Sequence, residues 1–359
     1  MGYSIVMIDF FRKFFSSSNT YDLGRLIDRR QCNGLVVGEV ANPSFDIICD
    51  IDKTYLETEF ESVVDLARTA MEDARDKITV FGVREVLMAA RWSRGAPPNG
   101  LHFVSSSPPQ LRRVLESKLA LDGLDWTSDT FKNQAYNLQR RRLSLLRHHV
   151  AYKTLAILTI MAKRADADKV TAGDEVAKSQ ARQSGGRFVM IGDNAESDPL
   201  VYSGVARLIE GRIPVADFEQ FLFNAGVQAI ETRQIMPVAE EVHGKGTVVA
   251  VFIRKVPGPR GHKPFGMDPA AWPQMTGFTS YFDVALGLLR VGVLPPDGDA
   301  LFKLAVAIHN SSLIPVAALV NKLKSLAESS DSLEVAGACR MAGIQLEEHS
   351  PASWLRLSL

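Results

Sequence analysis

Two short segments of the sequence each place several carboxylates directly after an apolar run. The first is DIDKT, residues 50–54, and the second is GDNAESD, residues 192–198. Residues two apart on an extended chain project to the same side, so Asp50 and Asp52 can face one cavity. Carboxylates this close repel each other unless a cation neutralises them or they divide acid and base roles. The two segments therefore indicate either a cation site or an acid–base pair.

The apolar runs before these segments belong to a pattern that predicts a parallel β-sheet. Short β-branched or apolar runs alternate with longer segments of helical periodicity, which is typical of βαβ units. The predicted strands are 34–40, 45–51, 100–106, 186–193 and 246–255. In parallel α/β sheets the strand-to-helix loops converge at the carboxyl ends of the strands, where reactive groups gather. We therefore expect both acidic segments at one edge of the sheet.

Helical periodicity fills the intervals between these strands and most of the region beyond residue 295. The predicted helices before that region are 61–78, 83–92, 107–123, 148–165, 197–211 and 278–294. The polar segment 165–186 is interpreted as a loop. The Pro- and Gly-rich segment 256–273 is interpreted as a second loop, which closes the sheet region. The C-terminal helices carry no chemical motif.

Length and composition are those of a soluble globular protein. A chain of 359 residues is long enough for one large α/β domain with additions, or for two domains. Apolar residues make up 46% of it, and 41 basic residues balance 41 acidic ones, which argues against disorder and against a general nucleic-acid binder. The cysteines Cys32, Cys49 and Cys339 have no metal or disulfide spacing, as expected of reduced thiols in a cytoplasm.

The N-terminal segment has no signal peptide pattern, and no run of about 18 uncharged apolar residues predicts a membrane span. Residues 3–15 are apolar with few charges and can form an amphipathic helix. Such a helix either packs against the domain or lies on a membrane surface. We expect a cytoplasmic protein, which in the second case is peripheral to a membrane.

The acidic residues of both segments suit a magnesium ion. Asp50, Asp52, Asp193 and Asp198 offer hard oxygen ligands, which Mg²⁺ prefers and zinc does not. A metal of this kind holds a phosphate, whose charge must be balanced during attack. The acidic segments therefore indicate phosphoryl chemistry.

Two further residues have the properties needed to bind a phosphate beside these acids. Ser105 ends a predicted strand, and its hydroxyl can donate a hydrogen bond to a phosphoryl oxygen. Lys153 lies on the predicted helix before the strand 186–193 and supplies a fixed positive charge to that oxygen and to the nucleophile.

In their order, these residues closely resemble the motifs of the haloacid dehalogenase (HAD) superfamily of phosphotransferases. Its motifs are D-x-D-x-T/V after the first strand, a Ser or Thr after the second, a Lys on a helix, and G-D-x(3,4)-D after the fourth. Here DIDKT, Ser105, Lys153 and GDNAESD occur at about the expected separations. One such motif alone is weak evidence, whereas four in register are specific.

Within that superfamily, the sequence is similar to the actin-patch-associated phosphatidate phosphatase catalytic domain and its bacterial relatives. HFVSSSPPQL resembles the family's second motif, FVMIGDNAESDPLVY its fourth, and GTVVAVFIRKV its late strand. Ser106 replaces the family's Asn, Pro109 its Trp, and Tyr152 a frequent His, and none of these changes removes a chemical group. Lys132 matches a basic position of the family with no role assigned to it here.

The resemblance implies an HAD-like Rossmannoid fold. We expect a three-layer α/β sandwich with a central parallel sheet, a small or minimal cap, and a helical C-terminal extension. The phosphatase domain is predicted at 33–294 with a small insertion at about 55–99. Residues 1–32 are then an N-terminal extension and 295–359 the C-terminal one.

The resemblance also implies a two-step displacement. Asp50 attacks phosphorus to give an aspartyl-phosphate while Asp52 protonates the leaving oxygen, and Asp52 then activates the water that releases phosphate. An acid at position 52 favours hydrolysis of phosphate esters over dehalogenation. The implied Mg²⁺ ligands are the Asp50 carboxylate, the Asp52 backbone carbonyl and Asp193, with Asp198 binding directly or through water.

Three hydroxyl residues complete the implied site on the phosphate side. Ser105 is the expected phosphate donor and Ser106 a possible second one, while Thr54 fixes the turn by hydrogen bonding. The alternative for Ser105 is a turn role without substrate contact.

Other assignments also have a structural alternative. Asp198 can be the N-cap of the following helix, because Pro199 suits a first helical position. Lys153 can be a solvated charge on a helix face. The adjacent residues His148 and His149 point in different directions on a helix, so they do not chelate one ion together.

Three functions remain open at this level. The leading one is a Mg²⁺-dependent phosphomonoester hydrolase, with phosphatidate, a membrane lipid, as one substrate. The second keeps this chemistry on a soluble phosphoester or a phosphoprotein. The third is a phosphate-binding module on the same fold without turnover. The short insertion predicts an open site, which suits a bulky substrate.

Overall fold

A computed structural model describes residues 27–31, 44–57, 77–95, 97–107, 111–132, 149–171, 186–256, 275–312 and 314–348. Three predictions lie wholly or largely outside these residues. They are the amphipathic helix at 3–15, the strand at 34–40 and the helix at 61–78.

The described strands form one sheet. In chain order they are β1 Ile27–Gln31, β2 Asp46–Asp50, β3 Gly100–Ser105, β4 Ser128–Lys132, β5 Gly186–Asp193, β6 Gly246–Arg254 and β7 Met275–Phe278. Their order in space is β1-β4-β3-β2-β5-β6-β7. All neighbouring pairs are parallel except β1 and β4, which are antiparallel. The central parallel sheet is therefore confirmed.

Helices connect most of these strands and make up the C-terminal region. In chain order the described helices are α1 Val83–Trp92, α2 Arg112–Leu121, α3 Val150–Thr171, α4 Asp198–Ile209, α5 Val215–Asn224, α6 Ala229–Val242, α7 Tyr281–Arg290, α8 Gly298–Ser312, α9 Val316–Ser329 and α10 Leu333–Glu348. Within the part of the chain that the structure describes, none of them is both long and apolar enough to cross a membrane.

Strand β2 divides the core into two layers. Ile47 and Cys49 pack with α1 and α7 on one face of the sheet, whereas Ile48 packs with α3, α4 and α6 on the other. All five residues of β2 are buried, as expected of a central parallel strand covered by helices on both faces. The predicted three-layer α/β sandwich is confirmed.

The C-terminal helices extend one of these layers. Leu301 and Ile308 of α8, Leu323 of α9 and Cys339 of α10 are buried in the same cluster as Ile47. The helical C-terminal region is confirmed, and its apolar faces pack on the sandwich.

Two loop predictions are wrong in part. The segment 165–186 is not a loop throughout, because α3 continues to Thr171. Residues 164–168 include good helix formers, and no Gly or Pro interrupts 165–171. The segment 256–273 does not close the sheet, since β7 follows it and pairs with β6. With only four residues, β7 is too short to give a clear alternating pattern.

Strands β1 and β4 have no predicted counterpart because both are polar in sequence. Ser128 and Asp129 of β4 are fully buried, and they are satisfied by His102 at 2.8 Å and by Arg112 at 2.8 Å. An apolar pattern cannot reveal a strand whose side chains are buried in polar pairs. Since β1 pairs with β4, the sheet also begins before residue 33, where we placed the domain boundary.

The predicted insertion at about 55–99 contributes to the sandwich itself. Val83, Val86 and Leu87 of α1 are buried in the core, so this helix belongs to a layer. Before it, Glu57 N–H donates to the Ile78 carbonyl at 3.0 Å in a short antiparallel pairing. The residues between this pair lie mostly outside the described part of the chain, so the small or minimal cap stays a prediction.

Candidate active site

A tight turn after β2 brings Asp50 and Asp52 to the carboxyl edge of the sheet. Lys53 has a φ of 58°, a left-handed conformation that a non-glycine residue adopts only where its surroundings fix it. The Lys53 carbonyl accepts a hydrogen bond from Arg254 at 2.7 Å, and the Thr54 carbonyl accepts one from Tyr281 at 2.9 Å. Arg254 of β6 and Tyr281 of α7 thus hold the turn through these backbone carbonyls, whereas the resemblance implied that Thr54 fixes it by hydrogen bonding.

The Asp52 carboxylate lies against the end of β3. Its Oδ2 accepts hydrogen bonds from Ser105 at 2.9 Å and from Ser107 at 2.8 Å. Burial raises the pKa of Asp52 to about 6, and the nearby charge of Glu196 adds to this shift. A group with this pKa can both donate and accept a proton near neutral pH. The structure thus places Ser105 beside the acid–base candidate.

Lys153 projects from the first turn of α3 into the centre of the site. Its side chain is 1% exposed, so Lys153 is not a solvated charge on a helix face, which was its alternative role. The amino group donates to Asp50 Oδ1 at 2.9 Å, contacts Glu196 Oε2 at 3.0 Å and donates to Asp198 Oδ1. Although burial opposes the charged form, these carboxylates raise the pKa of Lys153 well above its ordinary value. Lys153 is therefore a buried cation that joins β2 to the loop after β5.

Asp50, Asp193 and Asp198 have the geometry of a cation site. One carboxylate oxygen from each lies within 4.8 Å of the other two, and all three residues are buried. Asp50 Oδ2 is buried and has no hydrogen-bond partner among the described residues. An orphaned buried carboxylate oxygen is costly unless a cation binds it. These residues therefore fit a divalent metal such as Mg²⁺.

The electrostatics of the site indicate the same need for positive charge. Burial raises the pKa of Asp50 well above its ordinary value, and it raises the pKa of Asp193 to about 7. The pKa of Asp198 is also raised by burial, with Lys153 opposing the shift. Without a metal, one lysine amino group faces more carboxylates than it can neutralise.

Asp193 and Asp198 contribute different atoms to this cluster. Asp198 Oδ2 accepts the Asp193 backbone N–H at 3.2 Å, so both Asp198 oxygens already have partners in Asp193 and Lys153. Helix α4 begins at Asp198, and this hydrogen bond goes to a residue before the helix, so Asp198 is not its N-cap. Asp193 Oδ2 accepts only a long hydrogen bond from Thr54, at 3.5 Å, among the described residues. Asp50 and Asp193 therefore offer the more available metal ligands.

Glu196 is a site residue that the sequence reasoning did not single out. Its Oε2 accepts a hydrogen bond from Ser106 at 3.3 Å and contacts Lys153. Although burial favours the protonated form, the charges of Lys153 and His149 lower the pKa of Glu196 to about 2. Its position inside GDNAESD, between two expected metal ligands, was the signal in the sequence that could have identified it.

Further residues support the site from the helix and strand beside it. Tyr152, which replaces a frequent His of the resembled family, donates to the carbonyls of Ser105 at 2.9 Å and Thr130 at 3.0 Å. Lys132 is fully buried at the end of β4, and burial lowers its pKa to about 8 while the Glu196 charge opposes that shift. Tyr152 thus ties α3 to the ends of β3 and β4, and Lys132 adds a second cation to this edge of the sheet.

Comparison with known protein families gives a match that covers part of this site. Residues 45–181 match the model of a family described as phosphatidate phosphatase APP1, catalytic domain. This is the family that the motifs predicted. The match includes the DIDKT segment, Ser105 and Lys153, and it ends before Asp193. No match was found to a curated protein or to a solved structure.

Proposed function

We propose that the protein is a Mg²⁺-dependent phosphatase of the HAD type, which hydrolyses phosphomonoesters through an aspartyl-phosphate on Asp50. The observation that carries the proposal is the environment of that carboxylate. Lys153 holds Oδ1 at 2.9 Å, while Oδ2 is buried beside Asp193 and Asp198 without a partner among the described residues. The match to a phosphatase catalytic domain over residues 45–181 supports phosphatase activity.

The first step uses Asp50 as the nucleophile. A carboxylate oxygen of Asp50 forms a bond to phosphorus as the bond from phosphorus to the leaving oxygen breaks. Asp52 donates a proton to that leaving oxygen, and Ser105 and Ser107 keep its carboxyl group oriented through hydrogen bonds of 2.9 and 2.8 Å. The step ends with an alcohol, an aspartyl-phosphate on Asp50 and an ionised Asp52.

The second step returns the enzyme to its starting state. Asp52 accepts a proton from a water molecule, whose oxygen attacks the phosphorus of the aspartyl-phosphate. The bond between phosphorus and Asp50 breaks, and inorganic phosphate and a free carboxylate are formed. A pKa of about 6 lets Asp52 act in both directions, as burial keeps its two protonation states close in free energy.

Asp50 and Asp193 would hold the metal, and the Asp52 backbone carbonyl is the third ligand that the resemblance implies. When bound, Mg²⁺ supplies positive charge to the carboxylates and to the phosphoryl oxygens. Asp198 acts through its neighbours, because it orients the Lys153 amino group and the Asp193 backbone. The charge of Lys153 favours the ionised form of Asp50, against the burial that raises the pKa of this carboxyl group.

Phosphatidate is the first substrate to test, because the matched family is named for it. The alternative substrate class is a soluble phosphomonoester or a phosphoprotein. The acid–base environment of Asp52 favours an enzyme over a phosphate-binding module without turnover. A phosphate-release assay should compare phosphatidate in mixed micelles with glycerol 3-phosphate and an aryl phosphate, each with Mg²⁺ or with EDTA. Absence of Mg²⁺-dependent release from all three by folded protein would contradict the proposal.

Asp52→Asn should lower turnover by about 10²–10⁴-fold, the usual contribution of a general acid–base group. An alkyl phosphate should lose more than an aryl phosphate, because an alkoxide needs protonation more than a phenolate does. Steady-state assays on both substrates measure this difference. Equal losses on the two substrates would contradict the role of Asp52 as the acid for the leaving group.

Mg²⁺ should stabilise the protein, and more strongly at pH 7.5 than at pH 5.5. Burial raises the pKa of Asp193 to about 7 and that of Asp52 to about 6, so the folded state binds protons that the unfolded state releases. The contribution of these two groups to the stability of the metal-free protein is therefore lost as pH rises from about 4 towards these folded pKa values. Thermal unfolding with Mg²⁺ and with EDTA at both pH values measures the effect. A Mg²⁺ shift that is absent, or larger at pH 5.5, would contradict a metal on the Asp193 carboxylate.

A further inference from the structure

We propose that the Glu196 carboxylate occupies the position of a phosphoryl oxygen and that a bound phosphate must displace it. Glu196 then sets the affinity of the site for phosphate groups. This inference rests on the proposed function, because it concerns the phosphate subsite of the same site.

The first support is the hydrogen-bonding capacity of Lys153. A lysine amino group has three N–H donors, and here it faces three carboxylates, those of Asp50, Asp198 and Glu196. A phosphoryl oxygen can therefore reach Lys153 only if one of these carboxylates leaves.

The second support is the exposure of these partners. The side chains of Asp50 and Asp198 are 1% and 0% exposed, whereas that of Glu196 is 24% exposed. Asp50 is also fixed by its strand, and Asp198 by its hydrogen bond from the Asp193 backbone. Glu196 is thus the partner that can move towards solvent without unfolding part of the core.

The third support is the convergence of two expected phosphate donors on one oxygen. Glu196 Oε2 lies 3.0 Å from the Lys153 amino group and 3.3 Å from the Ser106 hydroxyl. These donors come from α3 and from the loop after β3, and Ser106 is the second phosphate donor expected from the sequence. An anionic oxygen that binds both at once makes the contacts that a phosphoryl oxygen would make.

The backbone of Glu196 is held while its side chain is the part that moves. Asp193 Oδ1 accepts the backbone N–H of Ala195 at 2.5 Å and that of Glu196 at 3.1 Å. The loop between Asp193 and Asp198 can therefore keep its conformation when the carboxylate leaves. Displacement is then a rotation of one side chain.

Inorganic phosphate and a soluble aryl phosphate are the probes for the test. Glu196→Gln and Glu196→Ala should each lower the Kd for phosphate and the KM by about tenfold. Removing one like charge a few ångströms from a bound anion is an effect of this order when water screens the two charges, as it does for a carboxylate displaced towards solvent. The kcat should change less than KM, because Asp50, Asp52 and Lys153 stay in place. Titration calorimetry with saturating Mg²⁺ measures the Kd, and thermal unfolding checks that each variant is folded.

Glu57→Gln is the matched control. Glu57 is also a carboxylate paired with a cation, Arg254, in the loop that follows Asp50, but it contacts neither Lys153 nor Ser106 in the described structure. We expect this variant to bind phosphate with the wild-type affinity. A similar gain in the control would overturn the proposal, because it would reflect net charge and not displacement.

Two other results have distinct meanings. Unchanged or weaker phosphate binding by folded Glu196→Ala, with wild-type protein that turns over substrate, overturns the role of Glu196 and leaves the proposed function intact. Wild-type protein that neither binds phosphate nor turns over any probe with Mg²⁺ overturns both, and the wild-type measurement alone identifies this case.

Discussion

Asp50→Asn should reduce phosphatase turnover by roughly 10⁴-fold or more, the scale of loss when an enzyme loses its nucleophile. The amide has the same shape as the carboxylate but cannot form the aspartyl-phosphate. It also leaves Lys153 with one fewer anionic partner. Phosphate release from an aryl phosphate with Mg²⁺ measures the loss, and the same variant should show a smaller Mg²⁺-dependent shift in thermal unfolding.

Asp46→Asn is the control for this variant, because Asp46 lies at the other end of the same strand. It is 4% exposed and pairs with His102 at 3.1 Å and with Arg164 at 3.6 Å, so the change also removes a buried charge. We expect Asp46→Asn to lose stability and to keep its turnover per folded molecule. If both variants keep turnover, Asp50 is not the nucleophile.

Lys153→Met should destabilise the fold by about 3–5 kcal/mol at pH 7.5, the usual cost of removing one partner of a buried ion pair. The methionine fills similar volume, but Asp50 and Asp198 would remain in the core without the cation that they share. Turnover should also fall by several orders of magnitude, because the nucleophile loses its charged partner. Urea unfolding and the aryl phosphate assay measure the two effects.

The pH dependence of this variant separates charge from packing. Burial already raises the pKa values of Asp50 and Asp198, and loss of Lys153 raises them further. Stability then falls as pH rises from the ordinary carboxyl range, about 4, through the raised folded values, so the deficit should shrink at pH 5.5. Lys163→Met, at an exposed position of the same helix, should be neutral at both pH values. An equal deficit for Lys153→Met at both would indicate lost packing.

The topology explains why residues so far apart in the chain meet. Strand β2 lies between β3 and β5 in the sheet and is parallel to both. Ser105 and Asp193 are the last residues of β3 and β5, Asp52 lies in the turn after β2, and helix α3 brings Lys153 to the same edge. This convergence follows from the parallel sheet and needs no long-range sequence signal.

The sequence was sufficient to predict the strands that carry chemistry. Strands β2, β3, β5 and β6 are apolar runs with both faces buried, and such runs are visible in a single sequence. Strand β4 was invisible, because Ser128 and Asp129 are buried through polar partners from elsewhere in the chain. A periodicity argument detects apolar burial and has no access to paired polar groups.

The sequence by itself determined which groups are available for chemistry and at which ends of strands they stand. Asp50, Asp52, Lys153 and Asp193 follow from local patterns, because a strand end and a helix turn fix where each side chain begins. Only the tertiary structure decided what each group contacts, as when Ser105 donates to Asp52 and Glu196 pairs with Lys153. Hydrogen bonds and charges act over a few ångströms, and such distances between remote residues arise only when the layers pack.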